Sequence, residues 1–194
     1  MFLFAQDKKQ SYILTSTREG LDFFDLNDYV LTENLPFFEV KDKKGVFMFF
    51  HKLTQEVEVF RYATELFAEE VTFESIVKHT IPKMMAILDD NDLLDEENTT
   101  WENTAIIVCN GKVFSITTLF EVIEETDYFT RGINHVMTLG CLASDETLPI
   151  KNRLANTIYL LQKIEAIDLF PITLFNVKTA TYKHCFNFNE LLSE

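Results

Sequence analysis

Short hydrophobic runs alternate with polar turns along this chain, and the clearest turn lies near its centre. The runs 104–109 and 112–118 are rich in β-branched residues and flank Asn110 and Gly111. A two-residue type I′ turn needs positive φ at both positions, which Asn and Gly adopt at the least cost. The pattern therefore predicts a β-hairpin here.

Three more pairs of apolar runs have the length and spacing of strands. Each pair is divided by a short polar segment, as expected for strands that are joined by turns. The predicted strands are 2–6 with 11–17, 36–40 with 46–50, and 172–178 with 181–188. Residues 21–34 are mixed and acidic, and we interpret them as a loop that holds at most one short strand.

Helical periodicity occurs in two blocks, and each block predicts a pair of helices. The predicted helices are 54–67, 72–88, 134–143 and 149–166. Thr54 and Thr72 stand where N-cap residues are expected. Pro82 should kink or divide the second helix near Thr80, because proline lacks an N–H and its ring clashes with the preceding turn.

The apolar faces of these helices give specific expectations. Helix 54–67 carries two apolar stripes, which implies that it is covered on more than one side. Small residues at the end of helix 134–143 permit close packing; they are Gly140, Cys141 and Ala143. The buried stripe of helix 149–166 is predicted to consist of Leu154, Ile158, Leu161 and Ile164.

The order of the predicted elements determines the fold class. Parallel strands need a helix between successive strands, whereas here both strands and helices come in pairs. The sheets should therefore be antiparallel. We predict an α+β fold, a four-layer αββα sandwich with two sheets between helix pairs, in a single domain spanning 1–194.

Charge and composition narrow the set of partners. The chain has 194 residues, a net charge of −14 and a pI of about 4.7. Such an acidic surface repels phosphate backbones and anionic lipids, so we expect neither nucleic acid nor membrane as a partner. No apolar run is long enough to span a bilayer, and the first residues have the wrong charge order for a signal peptide.

The cysteines and histidines indicate no cofactor or metal site. Cys109, Cys141 and Cys185 are widely spaced in apolar surroundings, which is typical of reduced thiols in a cytoplasmic protein. The histidines have no metal-ligand spacing and are expected to be structural or to face solvent; they are His51, His79, His135 and His184. Pairing of Cys141 with His135, or of Cys185 with His184, is disfavoured by the spacing. The acidic run 89–97 lacks the glycine and final glutamate of an EF-hand, so it is interpreted as a connector, with weak calcium binding left open.

The sequence 131–142, Arg-Gly-Ile-Asn-His-Val-Met-Thr-Leu-Gly-Cys-Leu, follows the central hairpin. Together with the order of elements, it resembles the proteasome β-subunit-like branch of the N-terminal nucleophile (Ntn) hydrolases. In that family a Thr, Ser or Cys at the mature amino terminus attacks an amide, and its own α-amino group is the base.

The resemblance implies where the catalytic positions would fall in this chain. The nucleophile falls on Met1 or Phe2, and the orienting Asp falls near Ser16. The tuning Lys falls near Leu35, and a conserved family Ser falls on Arg131. Only a supporting Asp is matched, by Asp168. The expected vestigial site is therefore Met1, Phe2, Ser16, Leu35, Arg131 and Asp168.

Two classes of function follow from the resemblance. The first is a non-catalytic assembly or binding protein, a pseudoenzyme that we expect to form a homo-oligomer and to keep Met1, because Phe2 is too bulky for ordinary removal of the initiator. The alternative is an amide or peptide hydrolase with a processed or displaced nucleophile. Candidates for a displaced nucleophile are Ser11, Ser16 and Thr17. Of the Gly–X pairs, only Gly140–Cys141 would expose a nucleophile on cleavage, and that cut would split a helix.

Overall fold

The computed structural model describes residues 2–7, 9–16, 37–51, 55–95, 100–131, 135–144, 146–166 and 168–193. The chain falls into two compact units: the first is Met1–Val30 with Thr126–Glu194, and the second is Leu31–Glu125. Each unit contains one five-stranded antiparallel sheet. The fold class is therefore α+β with antiparallel sheets, as the paired elements predict. A single domain over 1–194 stays a prediction.

Ten strands form the two sheets. They are β1 Phe2–Gln6, β2 Ser11–Thr15, β3 Phe37–Glu39, β4 Phe47–Phe50, β5 Ala105–Cys109, β6 Lys112–Ile116, β7 Val122–Glu125, β8 Tyr128–Arg131, β9 Ile172–Asn176 and β10 Thr181–Cys185. The sheet of the first unit has the order β10-β9-β2-β1-β8, and that of the second has the order β3-β4-β5-β6-β7.

Helices accompany each sheet. They are α1 Gln55–Tyr62, α2 Phe73–Ser75, a π-helix Ile76–Thr80, α3 Ile81–Asp90, α4 His135–Ala143, α5 Ile150–Glu165 and α6 Phe188–Leu192. The first unit contains α4, α5 and α6, and the second contains the others.

In the first unit the helices share a core with one face of the sheet. Leu3 and Leu14 are buried with Leu154 and Ile158 of α5. Because side chains alternate along a strand, Phe2 points to the opposite face. That face is also buried, as Phe4, Ile13 and Phe175 show.

The predicted stripe of α5 is wrong at one position. Its buried apolar residues are Ile150, Leu154, Ile158 and Leu161, whereas Ile164 is 56% exposed. At 100° per residue, Ile164 lies well to one side of the line through the other four, and it belongs to the last turn. The periodicity identified the helix correctly but extended the stripe too far.

In the second unit the predicted helix 54–67 is shorter than expected. The helix ends at Tyr62, and Glu65 has φ of 56°, which no helical residue adopts. Leu66 and Phe67 are nevertheless buried in the core of this unit, from the segment that follows the helix. The two-stripe interpretation was therefore wrong, because both stripes include residues beyond Tyr62 that are not helical. Thr54 and the predicted loop 21–34 lie outside the described residues.

The start and the division of the second helical segment are confirmed. Thr72 Oγ1 accepts from the Ser75 N–H at 3.2 Å, and Ser75 Oγ accepts from the Thr72 N–H at 2.8 Å, which is a capping box. The helix then widens into the π-helix, and α3 begins with Pro82 in its first turn. The segment changes from π-helix to α-helix after Thr80, where proline chemistry predicted a division, while the backbone of Thr80 and Ile81 stays helical.

The central hairpin is confirmed, but its surroundings hold elements that the sequence did not predict. Asn110 and Gly111 both have positive φ, 51° and 74°, and join β5 to β6. The acidic segment after the hairpin forms the edge strand β7, and β8 pairs with β1. An edge strand has only one neighbouring strand, so the exposed Glu124 is tolerated there and the usual apolar alternation is missing. The last predicted strand ends at Cys185, and Asn187 caps α6, whose Glu190 N–H donates to it.

Close packing at Gly140 is not observed. A Cβ placed on Gly140 would meet nothing within 4 Å, Cys141 is half-buried and Ala143 is exposed. The prediction of close packing at these small residues was therefore wrong.

Candidate functional site

One row of paired residues crosses the sheet of the first unit at the end where β1 begins. Backbone pairing places one residue of each strand in this row. Its members, in spatial order, are His184, Thr173, Thr15, Phe2 and Arg131. Residues paired across antiparallel strands point to the same face, so the side chains of His184, Thr173, Thr15 and Phe2 lie on one face of the sheet.

Phe2 is the member of the row that, with Met1, is one of the two residues on which the resemblance places the nucleophile. Its side chain is 1% exposed. Thr15, its partner on β2, is buried as well, and on its other side Phe2 pairs with Arg131. The backbone of Arg131 thus lies beside Phe2, while its side chain lies outside the described part of the chain. An aromatic ring at this place fills space and offers no group for acyl transfer.

Ser16 directly follows the row at the end of β2, and its side chain forms a hydrogen bond within the fold. Its buried hydroxyl donates a hydrogen bond to the carbonyl of Leu169 at 2.8 Å. This bond links the end of β2 to the segment that leads into β9. The Ser16 hydroxyl, near which the resemblance predicts the orienting Asp, therefore donates to a backbone carbonyl.

Asp168 lies next to this bond and has contacts of a structural kind. Its Oδ1 accepts from the Phe170 N–H at 3.0 Å and from Gln162 Nε2 at 2.8 Å. The carboxylate therefore holds the turn before Pro171 against the end of α5. The structure brings Phe2, Ser16 and Asp168 to one end of the sheet, and their match to catalytic positions stays a prediction. Met1 and Leu35 lie outside the described residues.

The row also contains a contact that sequence reasoning missed. Thr173 Oγ1 lies 3.0 Å from Nδ1 of His184, a hydroxyl–imidazole pair. Spacing along the sequence indicates partners for His184 only among its near neighbours. Cys185 is disfavoured as a partner because adjacent residues of a strand face apart. Cys185 is indeed buried in the core on the other face, where burial raises the pKa of its thiol. Strand register, which brings Thr173 and His184 together, has no local signal in the sequence.

Of the proposed displaced nucleophiles, Ser16 follows the row directly, whereas Ser11 lies far from it. Ser11 pairs with Gln6 at the opposite end of β1, and its hydroxyl lies 3.4 Å from Gln6 Oε1. Thr17 lies outside the described residues. Within the described ranges, no group of three or more His, Cys, Asp or Glu side chains could hold a metal ion.

Comparison with known proteins gives a result at the level of the fold. No protein-family model matches this sequence, and no curated protein matches it. The structure of BPH from Thiobacillus denitrificans in complex with epoxomicin is similar with a TM-score of 0.66 and 12% identity, over 90% of this chain and 96% of that chain. A second structure of the same protein gives 0.63 at 12% identity, over the same shares of both chains.

A third similar structure is HslV from Trypanosoma brucei, with a TM-score of 0.58 and 9% identity, over 89% of this chain and 96% of that chain. The fold is that of the proteasome-like Ntn hydrolases. The resemblance stated from the sequence is thereby confirmed at the level of the fold. At sequence identities of 9% to 12%, similarity of fold does not assign functions to individual residues.

Among the described residues, no helix has the length and apolar character needed to cross a bilayer. The longest, α5, has polar residues in almost every turn. The proteasome-like fold here is built from short helices and strands.

Proposed function

We propose that this chain is a non-catalytic assembly or binding protein on a proteasome-like fold, forming one four-layer domain and acting in the cytoplasm as part of a homo-oligomer. One observation carries the proposal: Phe2, one of the two residues on which the resemblance places the nucleophile, is a buried phenylalanine in the row at the start of β1. Acyl transfer requires a nucleophile, a base and their placement at the reacting carbon.

The neighbouring groups support the same conclusion. Ser16 donates to a backbone carbonyl, and Asp168 accepts from a backbone N–H and a glutamine side chain. Both act as links between elements of the first unit. A site whose polar groups serve the fold is typical of a scaffold that has lost its chemistry.

Exposed apolar residues support a role in binding other protein surfaces. On α4, Val136 is 73% exposed and Leu139 is 41% exposed, and Ile164 on α5 is also exposed. Apolar side chains that are close together on a surface mark interaction sites.

A direct test is incubation with fluorogenic peptides and with epoxomicin, the compound in the similar BPH structure. We expect no turnover, no change of intact mass and no change of melting temperature. Asp168→Asn keeps an oxygen acceptor and should preserve stability, whereas Asp168→Ala should lower it by about 1 kcal/mol. If Asp168→Asn instead abolished a measured turnover, the carboxylate would be catalytic and the proposal wrong.

The alternative is a hydrolase with a displaced nucleophile, and the contact between Thr173 and His184 is the observation that favours it. In such an enzyme Thr173 Oγ would attack an amide carbonyl while His184 took its proton. The burial of Thr173 opposes this, because a substrate carbonyl must reach the hydroxyl. Turnover that Thr173→Val and His184→Asn each abolish, and that Ser11→Ala leaves unchanged, would establish the alternative.

A further inference from the structure

A cleft of about 450 Å³ lies in the first unit, at the opposite end of its sheet from the row. Strand β1 runs from Phe2 at the row to Gln6 at the cleft, and β8 reaches the cleft at Tyr128. The cleft is therefore separate from the place where a proteasome-like enzyme has its chemistry.

Arg153 of α5 lines this cleft and is only 4% exposed. Its Nη1 donates to the Leu142 carbonyl at 3.1 Å and to the Tyr128 hydroxyl, and its guanidinium lies 5.2 Å from the centre of the Tyr128 ring. Its Nε is buried and has no acceptor among the described residues, and none of them accepts from Nη2 either. A buried charged donor without an acceptor costs free energy that a bound acceptor would restore.

The unpaired edge of Arg153 has a definite chemical preference. The N–H groups of Nε and Nη2 are parallel and match the two oxygens of a carboxylate. The contacts on Nη1 and the Tyr128 ring hold the guanidinium plane in place. The arginine is thus oriented before any ligand arrives, so little rotamer freedom is lost on binding.

Three exposed acids stand around the same cleft: Asp7, Asp127 and Glu146. Burial acts to raise the pKa of Asp7, but hydrogen bonds from the Gln10 and Lys9 N–H groups and the charges of Lys178 and Arg153 lower it overall. Three carboxylates against one guanidinium leave a net charge of −2. A simple anion would be repelled by the rim, and a simple cation would leave the edge of Arg153 unpaired.

We propose that this cleft binds a basic α-amino acid, or the basic C-terminal residue of a peptide, with the carboxylate on the unpaired edge of Arg153 and the cationic groups beside Asp7, Asp127 and Glu146. A ligand such as arginine carries a carboxylate and two cationic groups, which complements both parts of the cleft. The volume is in the range of small-molecule sites.

The test is calorimetric titration of the full chain with L-arginine and with agmatine, which lacks the carboxylate. We expect one saturable site for arginine with a Kd of about 1 mM or tighter, and agmatine weaker by about tenfold. Equal affinities for arginine and agmatine would overturn the proposal. So would the absence of saturable binding by folded protein at arginine concentrations up to about 10 mM.

Peptide arms distinguish the two sources of the ligand. The tripeptide Gly-Gly-Arg is compared with its C-terminal amide. Tripeptide binding as tight as that of arginine, lost in the amide, would identify a peptide end. Arginine binding without tripeptide binding would identify the free amino acid. The proposal fails if the amide binds as well as the acid.

Variants locate the site. Asp127→Asn with Glu146→Gln should weaken arginine binding by about tenfold, because both remove rim charge without touching the fold. The matched control is Glu69→Gln with Glu70→Gln, two exposed acids of the second unit, which makes the same change in net charge. Equal weakening by the control would show bulk charge attraction and would refute the site.

Arg153→Lys gives a separate readout that does not depend on total affinity. Lysine keeps the positive charge but lacks the two parallel donors. We expect the variant to lose the preference for arginine over agmatine, with thermal unfolding used to verify that it is folded. A preference that survives in the folded variant would mean that Arg153 does not bind the carboxylate.

Discussion

Two buried threonine hydroxyls in this chain differ in whether they have a hydrogen-bond partner. Thr157 Oγ1 donates to the Arg153 carbonyl at 2.8 Å, whereas Thr80 Oγ1 is buried and has no partner among the described residues. Both lie in helical segments, so the local backbone does not explain the difference. An unpaired buried hydroxyl destabilises the folded state because it has lost its hydrogen bonds to water.

We therefore expect Thr80→Val to raise the free energy of unfolding by about 1 kcal/mol, because valine has a similar shape and no hydroxyl to leave unpaired. Thr157→Val should lower the free energy of unfolding or leave it unchanged, because it removes the hydrogen bond from Thr157 to the Arg153 carbonyl. Urea unfolding of both variants beside the original chain measures the difference. A loss of stability in Thr80→Val would show that its hydroxyl has a partner.

The thiol of Cys109 makes stability depend on alkaline pH. Burial, opposed by the charge of Lys112 and assisted by that of Glu124, raises the pKa of the Cys109 thiol from 9.0 to about 11. A raised folded pKa means that the folded state holds the proton more tightly than the unfolded state. The resulting stability is complete below about pH 9 and is lost as pH rises through about 11, with a slope of up to about 1.4 kcal/mol per pH unit.

The measurement is the difference in unfolding free energy between the original chain and Cys109→Ala from pH 8 to 10.5. The alanine variant has no thiol to ionise, so this difference should become smaller as pH rises. A difference that stays constant would contradict the raised pKa. Cys109 should also react with iodoacetamide more slowly than the half-buried Cys141, because access limits the reaction.

At the scale of elements, two glycines should respond to alanine in opposite ways. Gly111 has φ of 74° in the turn between β5 and β6, and an added Cβ would meet nothing within 4 Å. The cost of Gly111→Ala is therefore backbone strain alone, about 1 kcal/mol. Gly140 lies inside α4 with equally open surroundings, so Gly140→Ala should stabilise by up to about 1 kcal/mol through helix propensity.

Thermal unfolding of the two alanine variants provides the comparison, and each is the control for the other. If both variants lost stability, α4 would need the glycine for packing, as the sequence led us to expect. If neither changed, the turn would tolerate an L-residue at positive φ.

The edge strand β7 shows how charge limits unwanted pairing. Glu124 lies on this strand and forms an ion pair with Lys112 of β6, at 2.8 Å. Charged side chains on an edge strand oppose the addition of further strands. The acidic segment after the hairpin, for which the sequence predicted no strand, is thus part of the sheet, and its charge suits that place.

At the scale of the whole molecule, we predict self-association. Light scattering at high protein concentration should report a mass above that of one 22.6 kDa chain. Val136→Glu places a charge on the exposed face of α4 and should reduce that mass. Tyr62→Glu, on an equally exposed residue of the second unit, is the matched control. A monomer at all concentrations would contradict the prediction.

Local chemistry let the sequence determine several features by itself. The turn at Asn110 and Gly111, the N-cap at Thr72 and the division of the helical segment before Pro82 each depend on a few neighbouring residues, and all three are confirmed. The paired order of elements determined the antiparallel α+β class, because short connections permit no other arrangement. The resemblance around 131–142 led to the fold.

Only the tertiary structure decided the rest. The row that joins His184, Thr173 and Phe2 depends on strand register between segments more than 150 residues apart, and register leaves no trace in local sequence. The pairing of the edge strand β7, the exposure of Ile164 and the unpaired edge of Arg153 all depend on which parts of the chain pack beside them in the fold. Periodicity reports that a residue belongs to a helix or strand; the free energy of its side chain is determined by what packs against it.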